Sequence, residues 1–302
     1  MPNILIVLLG PTGVGKTDIA VEIAGESGCE IISSDSRQFY REMSIGTAVP
    51  SEDQINKIKH HFVKFLSVKD YYSASRFETD VIKILPELFK RNNLALMAGG
   101  SAMYIDAVCK GYDDIPDVDP SIRDKYNKLY EKEGIESLRA ALKVLDPVHY
   151  KKVDLRNYKR IIRALEICET TGQPYSAFLT NQKKSRDFSI IKIGLNRPRK
   201  ELYERINQRV DKMMTEDLEK EARSVYEFRH LNALNTVGYK ELFDYFDGVL
   251  SYENAIELIK RNSRRYAKRQ LTWWARDEEI TWFHPDQKVE IIEFIRGEIN
   301  KS

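Results

Sequence analysis

Residues 10–17, Gly10-Pro11-Thr12-Gly13-Val14-Gly15-Lys16-Thr17, match the full phosphate-loop pattern G-x-x-x-x-G-K-[ST]. The loop follows an apolar run, Ile4–Leu9, and precedes a helical pattern, Asp18–Ala24. This context predicts a strand and a glycine turn whose backbone N–H groups, with the dipole of the next helix, face a phosphate. Lys16 would supply a cation, and the Thr17 hydroxyl would bind Mg²⁺. A di- or triphosphate site is favoured over a glycine turn that binds nothing, and ATP as the ligand stays open.

The composition is that of a globular chain with 302 residues, 42% hydrophobic and 31% charged. This length permits a large core and a second domain. No apolar run of about eighteen residues occurs, so we expect no membrane span. Because Met-Pro-Asn is followed directly by a strand pattern, we expect no targeting leader. Cys29, Cys109 and Cys168 follow no C-x-x-C spacing, which fits a reducing cytoplasm. We expect a cytoplasmic monomer.

The formal net charge of +2 hides two strongly basic segments. From Lys260 to Arg276 there are seven Lys or Arg residues and no acid, and from Lys151 to Arg163 there are six basic residues and one acid, Asp154. Basic blocks in a nearly neutral chain indicate an anionic partner larger than a nucleotide.

Strand and helix patterns alternate over the first hundred residues, which predicts an α/β fold with a parallel sheet flanked by helices, like that of P-loop NTPases. The loops after Leu9, Ser34 and Ala98 should share one crevice at the carboxyl ends of the strands. A break at Gly111–Asp119 is followed by helical spacing and then by a strand at Phe188–Leu195. We therefore predict a core of residues 1–115 and 188–302, interrupted by an all-helical insertion of residues 116–187.

Asp35 ends the strand that follows the phosphate loop in sequence. A carboxylate there should face the ligand, where it could hold Mg²⁺ or accept a proton. The alternative is an Asp that caps a turn. Ser36, Arg37 and Gln38 add donors and acceptors suited to a base edge or to a polar turn.

The strand Leu94–Ala98 ends in Gly99-Gly100-Ser101 and not in the acid that ATP-hydrolysing phosphate-loop enzymes use for Mg²⁺. Some small-molecule kinases also lack this acid. The pattern still favours a diphosphate held as a leaving group over a transferred γ-phosphate.

Two helices carry basic faces. In the first, Arg156, Lys159, Arg160 and Arg163 share one face, with Ile161 and Ile162 to the other side. In the last long helix Arg261, Arg265 and Arg269 recur every four residues, near Tyr266, Trp273 and Trp274. Basic faces with aromatic residues suit RNA contact through phosphates and stacked bases, although each face alone could simply be solvated.

Seven motifs occur in order along the chain: GPTGVGKT (10–17), SSDSRQFY (33–40), AGGSAMY (98–104), NYKRIIRALE (157–166), ELYERINQRVDKM (201–213), VGYKE (237–241) and YAKRQLTWW (266–274). Together they resemble the bacterial tRNA dimethylallyltransferase family. The resemblance implies transfer of a dimethylallyl group from dimethylallyl diphosphate to N6 of adenosine 37 in tRNAs that read codons beginning with U, with Mg²⁺ present.

The same resemblance implies roles for individual residues. Asp35 would bind the adenine amine and act as general base, residues 12–17 would hold the diphosphate, and Arg209 or else Arg205 would bind the leaving group. Contacts with tRNA would come from Asp35, Ser36, Arg37, Gln38, Ser101, Arg123, Lys159, Arg160, Ile161, Ile162, Arg163 and Arg269.

The chain departs from the family pattern at Ser101-Ala102, where Thr-Gly is usual, and at Phe62, where Leu usually follows the paired histidines. We interpret His60-His61 as turn or core residues and not as a metal pair. Three other functions remain open from sequence: a small-molecule kinase that uses ATP, a prenyltransferase for free adenine nucleotides, and an RNA-binding module gated by a nucleotide.

Overall fold

The computed structural model describes residues 2–113, 115–116, 118–180 and 184–301. The chain forms two compact units, one of Met1–Lys110 with Ser185–Ser302 and one of Gly111–Lys184. The sequence pattern places the insertion at residues 116–187, and residues 117 and 181–183 of that range lie outside the described residues.

The first unit is built on a six-stranded sheet whose paired strands all run parallel. The strands are β1 (Ile4–Leu9), β2 (Ile31–Ser33), β3 (His60–His61), β4 (Leu94–Gly99), β5 (Ser189–Leu195) and β6 (Ile280–Phe283). Their order is β3-β2-β4-β1-β5-β6, so the strand that delivers the phosphate loop is central. This architecture confirms the predicted P-loop NTPase-like fold.

Burial on both faces explains the uninterrupted apolar run of β1. Leu5, Val7 and Leu9 join one hydrophobic cluster, whereas Ile4, Ile6 and Leu8 join another. Because successive side chains of a strand point to opposite faces, the two clusters are the two layers that helices form over the sheet.

Thirteen α-helices are assigned among the described residues. They are α1 (Lys16–Ser27), α2 (Glu52–Lys57), α3 (Ala74–Asn92), α4 (Ala102–Lys110), α5 (Pro120–Glu133), α6 (Ile135–Leu145), α7 (Pro147–Tyr150), α8 (Tyr158–Thr171), α9 (Arg199–Thr215), α10 (Leu218–Ser224), α11 (Tyr239–Phe246), α12 (Tyr252–Trp274) and α13 (Lys288–Lys301). None of these helices is long and apolar enough to cross a lipid bilayer.

The segment of residues 199–228, whose apolar spacing is helical, is not one helix. It divides because Asp217 adopts a left-handed conformation with φ of 67°, which Asp tolerates better than most residues. The turn separates α9 from α10. On α10 the Glu221 carboxylate accepts hydrogen bonds from the backbone N–H groups of Ser44 and Ile45, at 2.8 Å each.

The second unit contains α5–α8 and is helical. Its own core includes Leu138, Leu142, Ile161, Ile162 and Leu165. Asn157 begins α8, since its side chain accepts a hydrogen bond from Arg160 N, and Gly172 ends the helix in a left-handed conformation.

Candidate active site

The phosphate loop connects β1 to α1, and α1 begins at Lys16. Gly13 and Gly15 have φ values of 79° and 106°, which favour glycine. A Cβ atom at Gly13 would also lie only 2.8 Å from Cγ1 of Ile206. The glycines of the motif are therefore required by backbone conformation and by close packing against α9.

Cationic side chains donate hydrogen bonds to carbonyl groups of the loop. Lys16 Nζ donates to the Gly10 and Pro11 oxygens at 2.8 and 2.9 Å, Arg205 Nε to the Gly13 oxygen at 3.2 Å, and Arg197 Nε to the Val14 oxygen at 3.0 Å. The first N–H groups of α1 lack intrahelical partners, as at any helix start. The loop thus combines fixed carbonyl groups with available amides, the arrangement that binds an anion.

Asp35 follows β2 at the carboxyl edge of the sheet, as the sequence predicts. Its Oδ1 accepts a hydrogen bond from Arg37 N at 3.2 Å, and its carbonyl oxygen accepts one from Gln38 N at 3.0 Å. Asp35 therefore caps a turn and also presents a carboxylate. The two alternatives that the sequence left open, a capping residue and a carboxylate facing the ligand, are compatible.

Lys16 and Arg209 carry the cationic groups that interact with Asp35. Burial lowers the pKa of Lys16 to about 8, an effect that the Asp35 charge opposes and the Arg209 charge reinforces. Burial also lowers the pKa of Arg209, and Asp35 again opposes the shift. The structure thus brings the proposed base and two proposed diphosphate ligands together.

Two cavities meet at this point. One, of about 380 Å³, is bounded by the phosphate loop, including Lys16 and Thr17, and by apolar residues such as Ile31 and Ala98. The other, of about 650 Å³, is bounded by Arg261, Arg265, Tyr266 and Arg269 of α12. Both cavities are bounded by Thr12, Asp35 and Arg209. We call them the loop cavity and the α12 cavity.

The two candidate arginines of α9 occupy different environments. Arg209 is half-buried, borders both cavities and donates to the Thr47 carbonyl oxygen at 3.3 Å. Arg205 is exposed and borders the loop cavity. Arg209, unlike Arg205, therefore lies where the two cavities meet.

Ser101 fixes the turn that carries Asp35. Its Oγ accepts a hydrogen bond from Ser36 N at 2.9 Å and donates to Ser36 Oγ at 3.0 Å. Ser101 is only 8% exposed, so its hydroxyl has an internal role.

Gln38, in the same turn as Asp35, is also held internally. Its Nε2 donates to the Ala48 carbonyl oxygen at 3.0 Å.

The α8 face divides into exposed and internal residues. Lys159 and Arg160 are exposed. Arg163 instead pairs with the buried carboxylate of Glu166 at 3.4 Å. The NH2 group of Arg123 donates to the same carboxylate at 2.9 Å. Arg123 and Arg163 thus contribute to the fold of their own unit, whatever else they contact.

Ile161 and Ile162 require a correction. They are 0% and 3% exposed and pack in the core of the second unit. They lie on the side of α8 opposite the charged residues, as helical spacing dictates. We therefore assign their side chains to the core of this unit and not to an RNA-contacting surface.

The last long helix presents the predicted basic surface but fewer aromatic rings. Arg261, Arg265 and Arg269 are exposed. Trp273 is 46% exposed and its Nε1 donates to Asp106 at 2.8 Å, whereas Trp274 is 3% exposed within the core. Trp274 is therefore excluded from base stacking, which leaves Tyr266 and Trp273.

The donor set of the loop cavity fits Mg²⁺ only as a complex with a diphosphate. Thr17 and Asp35 border the cavity, but no group of three or more His, Cys, Asp or Glu residues that could hold a metal ion occurs in the described part of the chain. Mg²⁺ normally binds one or two protein oxygens together with phosphate oxygens and water.

The paired histidines make protein contacts. His61 pairs with Glu30 at 2.6 Å, and the His60 ring forms a hydrogen bond with the Ile58 carbonyl oxygen at 2.7 Å.

Sequence reasoning missed two residues that fix the loop. Arg197 has a side chain only 9% exposed and reaches the Val14 carbonyl from the loop after β5. Gln270, which is 5% exposed, accepts a hydrogen bond from Thr12 N at 2.9 Å. Both lie far from the loop in sequence. The only available signal for Gln270 was its place within the motif at residues 266–274.

The parallel sheet, the phosphate loop at its carboxyl edge and the adjoining basic cavity define a P-loop protein that pairs a phosphate site with a second, larger site. The sequence model of the family described as IPP transferase matches residues 38–277. The chain belongs to this family of transferases.

Named relatives match nearly the whole chain. The chain is 58% identical to "tRNA dimethylallyltransferase 2" of Parabacteroides distasonis, with 98% of this chain and 99% of the relative covered. It is 55% identical to "tRNA dimethylallyltransferase 1" of Bacteroides fragilis, with 98% of each covered. These matches confirm the resemblance inferred from the motifs.

Solved structures give the same result. A full-length tRNA isopentenylpyrophosphate transferase from Bacillus halodurans has a TM-score of 0.72 at 35% identity, with 99% of this chain and 97% of that chain covered. A eukaryotic dimethylallyltransferase described as acting on tRNA has a TM-score of 0.76 at 25% identity, with 93% of this chain and 73% of that chain covered.

Proposed function

We propose that this protein transfers the dimethylallyl group of dimethylallyl diphosphate to N6 of adenosine 37 in tRNAs that read codons beginning with U. The products are N6-(dimethylallyl)adenosine and diphosphate. The observation that carries the proposal is the position of Asp35, which borders both the loop cavity and the α12 cavity. The names of the relatives, which are tRNA dimethylallyltransferases, support the same reaction.

The loop cavity would bind the donor. Cleavage of the allylic C–O bond leaves negative charge on the departing diphosphate, which the loop amides, Lys16 and Arg209 would stabilise. Bound Mg²⁺, held by Thr17 and diphosphate oxygens, would supply further charge neutralisation. Apolar residues of the same cavity, such as Ile31 and Ala98, suit the dimethylallyl group.

The α12 cavity would receive the adenosine. A base within the anticodon stack is out of reach, so we propose that the nucleotide flips into this cavity, where Tyr266 offers an aromatic face. N6 forms a bond to the allylic carbon as the C–O bond breaks, and Asp35 accepts the proton that N6 loses. Arg261, Arg265 and Arg269 would hold the RNA phosphates.

Parallel incubations separate this proposal from its alternatives. The intact chain is incubated with Mg²⁺ and unmodified tRNA, together with labelled dimethylallyl diphosphate or labelled ATP. We expect label in RNA only from the prenyl donor, and nucleoside mass analysis should find one dimethylallyladenosine. Phosphate transfer from ATP would support a kinase, and turnover of AMP without tRNA would support a prenyltransferase for free nucleotides.

The lowered pKa of Lys16 predicts a pH effect on donor use. The ammonium charge that holds diphosphate is present below pH 8 and is lost above it, because the pKa of Lys16 is about 8. The kcat/KM for the donor, which reports the free enzyme, should fall about tenfold per pH unit above that value. An ordinary lysine would remain charged to about pH 10. In Lys16→Arg, which stays charged, any residual activity should lack this fall; an unchanged fall would assign it to another group.

The exposed part of α8 predicts an effect on RNA affinity. Arg160→Ala should weaken tRNA binding and reduce the salt slope of log K by about one, because one phosphate contact is lost. Filter binding at several salt concentrations measures both. Lys143→Ala, which removes an exposed charge from α6 of the same unit, is the control. Equal effects of the two variants would remove α8 from the proposed RNA surface.

We also propose that the protein works as a monomer in the cytoplasm. The residues to which the proposal assigns the chemistry, Lys16, Asp35 and Arg209, border the loop cavity together, and the proposal assigns no step to a residue of a second copy. Sedimentation of the active protein, alone and with tRNA, tests the monomer.

A further inference from the structure

A buried carboxamide contacts the phosphate loop from a distant helix. Gln270 lies on α12 and is 5% exposed. Its Oε1 accepts a hydrogen bond from Thr12 N at 2.9 Å, and its Nε2 donates to the Gly100 carbonyl oxygen at 2.7 Å. One side chain therefore joins the phosphate loop to the loop that follows β4.

The chemistry of the two partners requires a side chain that both accepts and donates a hydrogen bond, as the Gln270 amide does. Thr12 N can only donate and the Gly100 oxygen can only accept, so the bridging side chain must offer one acceptor and one donor. Gly100 also permits the close approach, since a Cβ there would lie 2.6 Å from Gln270 Nε2 and 3.7 Å from Lys16 Nζ. Methionine fills a similar volume without either hydrogen bond, and an ionised glutamate keeps only the acceptor.

Gln270 is placed where its effect would reach the donor. It borders the loop cavity beside Thr12, and it also borders a third cavity of about 350 Å³ that contains Tyr266 and Trp273. Gln270 takes no chemical step in the proposed reaction. Its two bonds nevertheless determine how the loop lies against the edge of the sheet.

We propose that Gln270 is a positioning residue for the diphosphate of the donor. It fixes the Thr12 peptide, and through it the direction in which the following loop amides face. The ligand class rests on the proposed function. An anion site that is already ordered needs no rearrangement when the anion binds, and small displacements in such sites cost large factors in rate or affinity.

Gln270→Met should weaken binding of inorganic diphosphate with Mg²⁺ about tenfold or more, as measured by calorimetry on the full chain. The KM for dimethylallyl diphosphate should rise by a similar factor, with a smaller change in kcat. Amide hydrogen exchange of the peptide covering residues 10–15 should quicken, while that of α5–α8 stays unchanged. Gln208→Met is the matched control, because Gln208 is an exposed glutamine bordering the same cavity.

Gln270→Glu provides a conservative rescue. A protonated carboxyl offers both an acceptor and a donor. The KM of Gln270→Glu for dimethylallyl diphosphate, divided by that of the wild type, should therefore fall as the pH decreases from 8 to 6. A merely structural role would change the melting temperature without this pH dependence. A pH-independent ratio would contradict the need for a donor at Gly100.

If Gln270→Met does not fold, the same diphosphate-binding measurement is made on Gly100→Ala. The added methyl group of this variant would displace the Gln270 amide. A folded variant of either kind that binds diphosphate within about twofold of the wild type overturns the proposal. Failure of the wild type to prenylate tRNA would refute the proposed function, yet the diphosphate measurements would still test Gln270.

Discussion

Asp35→Asn is expected to reduce kcat for tRNA prenylation about a thousandfold while leaving tRNA affinity within about threefold of the wild type, because general bases contribute about 10²- to 10⁴-fold. The amide keeps the shape of the carboxylate and can still accept the hydrogen bond from Arg37 N, so the turn should persist. It cannot take the proton that N6 loses. Single-turnover assays with saturating donor and tRNA, combined with filter binding, measure the two quantities separately.

The donor should bind Asp35→Asn as well as the wild type or better. Asp35 opposes the effect of burial on the pKa values of Lys16 and Arg209, but its own charge repels a diphosphate. With the carboxylate removed, the pKa of Lys16 should fall further, so the alkaline loss of donor affinity should begin at lower pH. This separation of kcat from KM distinguishes a base from a ligand of the leaving group.

Asp244→Asn is the matched control, since Asp244 is an exposed carboxylate that borders the α12 cavity. It should leave kcat within a few-fold of the wild type. Unchanged turnover in Asp35→Asn would refute the role of Asp35. Loss of tRNA binding in proportion to loss of turnover would make Asp35 an RNA contact instead.

The features near the loop could be predicted from sequence because they are local or follow from topology. An eight-residue motif fixes the turn, and a parallel sheet places the loops after β1, β2 and β4 at one edge. Asp35 was therefore found from its position after a strand, whereas Ser101 became a candidate only through the family resemblance. The uninterrupted apolar run Ile4–Leu9 likewise predicted a strand, which is buried on both faces.

Features that depend on long-range packing could not be predicted in this way. The pattern at Ile161 and Ile162 shows which side of α8 is apolar, but the family resemblance counted both residues among RNA contacts until burial excluded their side chains. Trp274 next to Trp273 is a similar case, because neighbouring residues of a helix face different directions. Gln270 lies 258 residues from the Thr12 amide that it binds, and no periodicity connects the two.

Arg209→Ala is expected to reduce kcat/KM for dimethylallyl diphosphate about 10²- to 10³-fold, the range found when one fixed donor to a developing anion is removed. Arg205→Ala should cost less than about tenfold. The reason is environment: Arg209 is half-buried beside Lys16 and Asp35, whereas Arg205 is exposed to solvent that screens its charge.

Arg209→Lys should be intermediate, because an ammonium keeps the charge but loses the planar fork that matches phosphate oxygens. Steady-state kinetics with varied donor measure all three variants, and calorimetry with inorganic diphosphate separates binding from turnover. The sequence left the choice between the two arginines open, and their order of effect is the decisive result. A larger loss in Arg205→Ala would mean that the diphosphate lies toward the outer rim of the loop cavity. That outcome would assign the departing diphosphate to Arg205 and overturn the role proposed for Arg209.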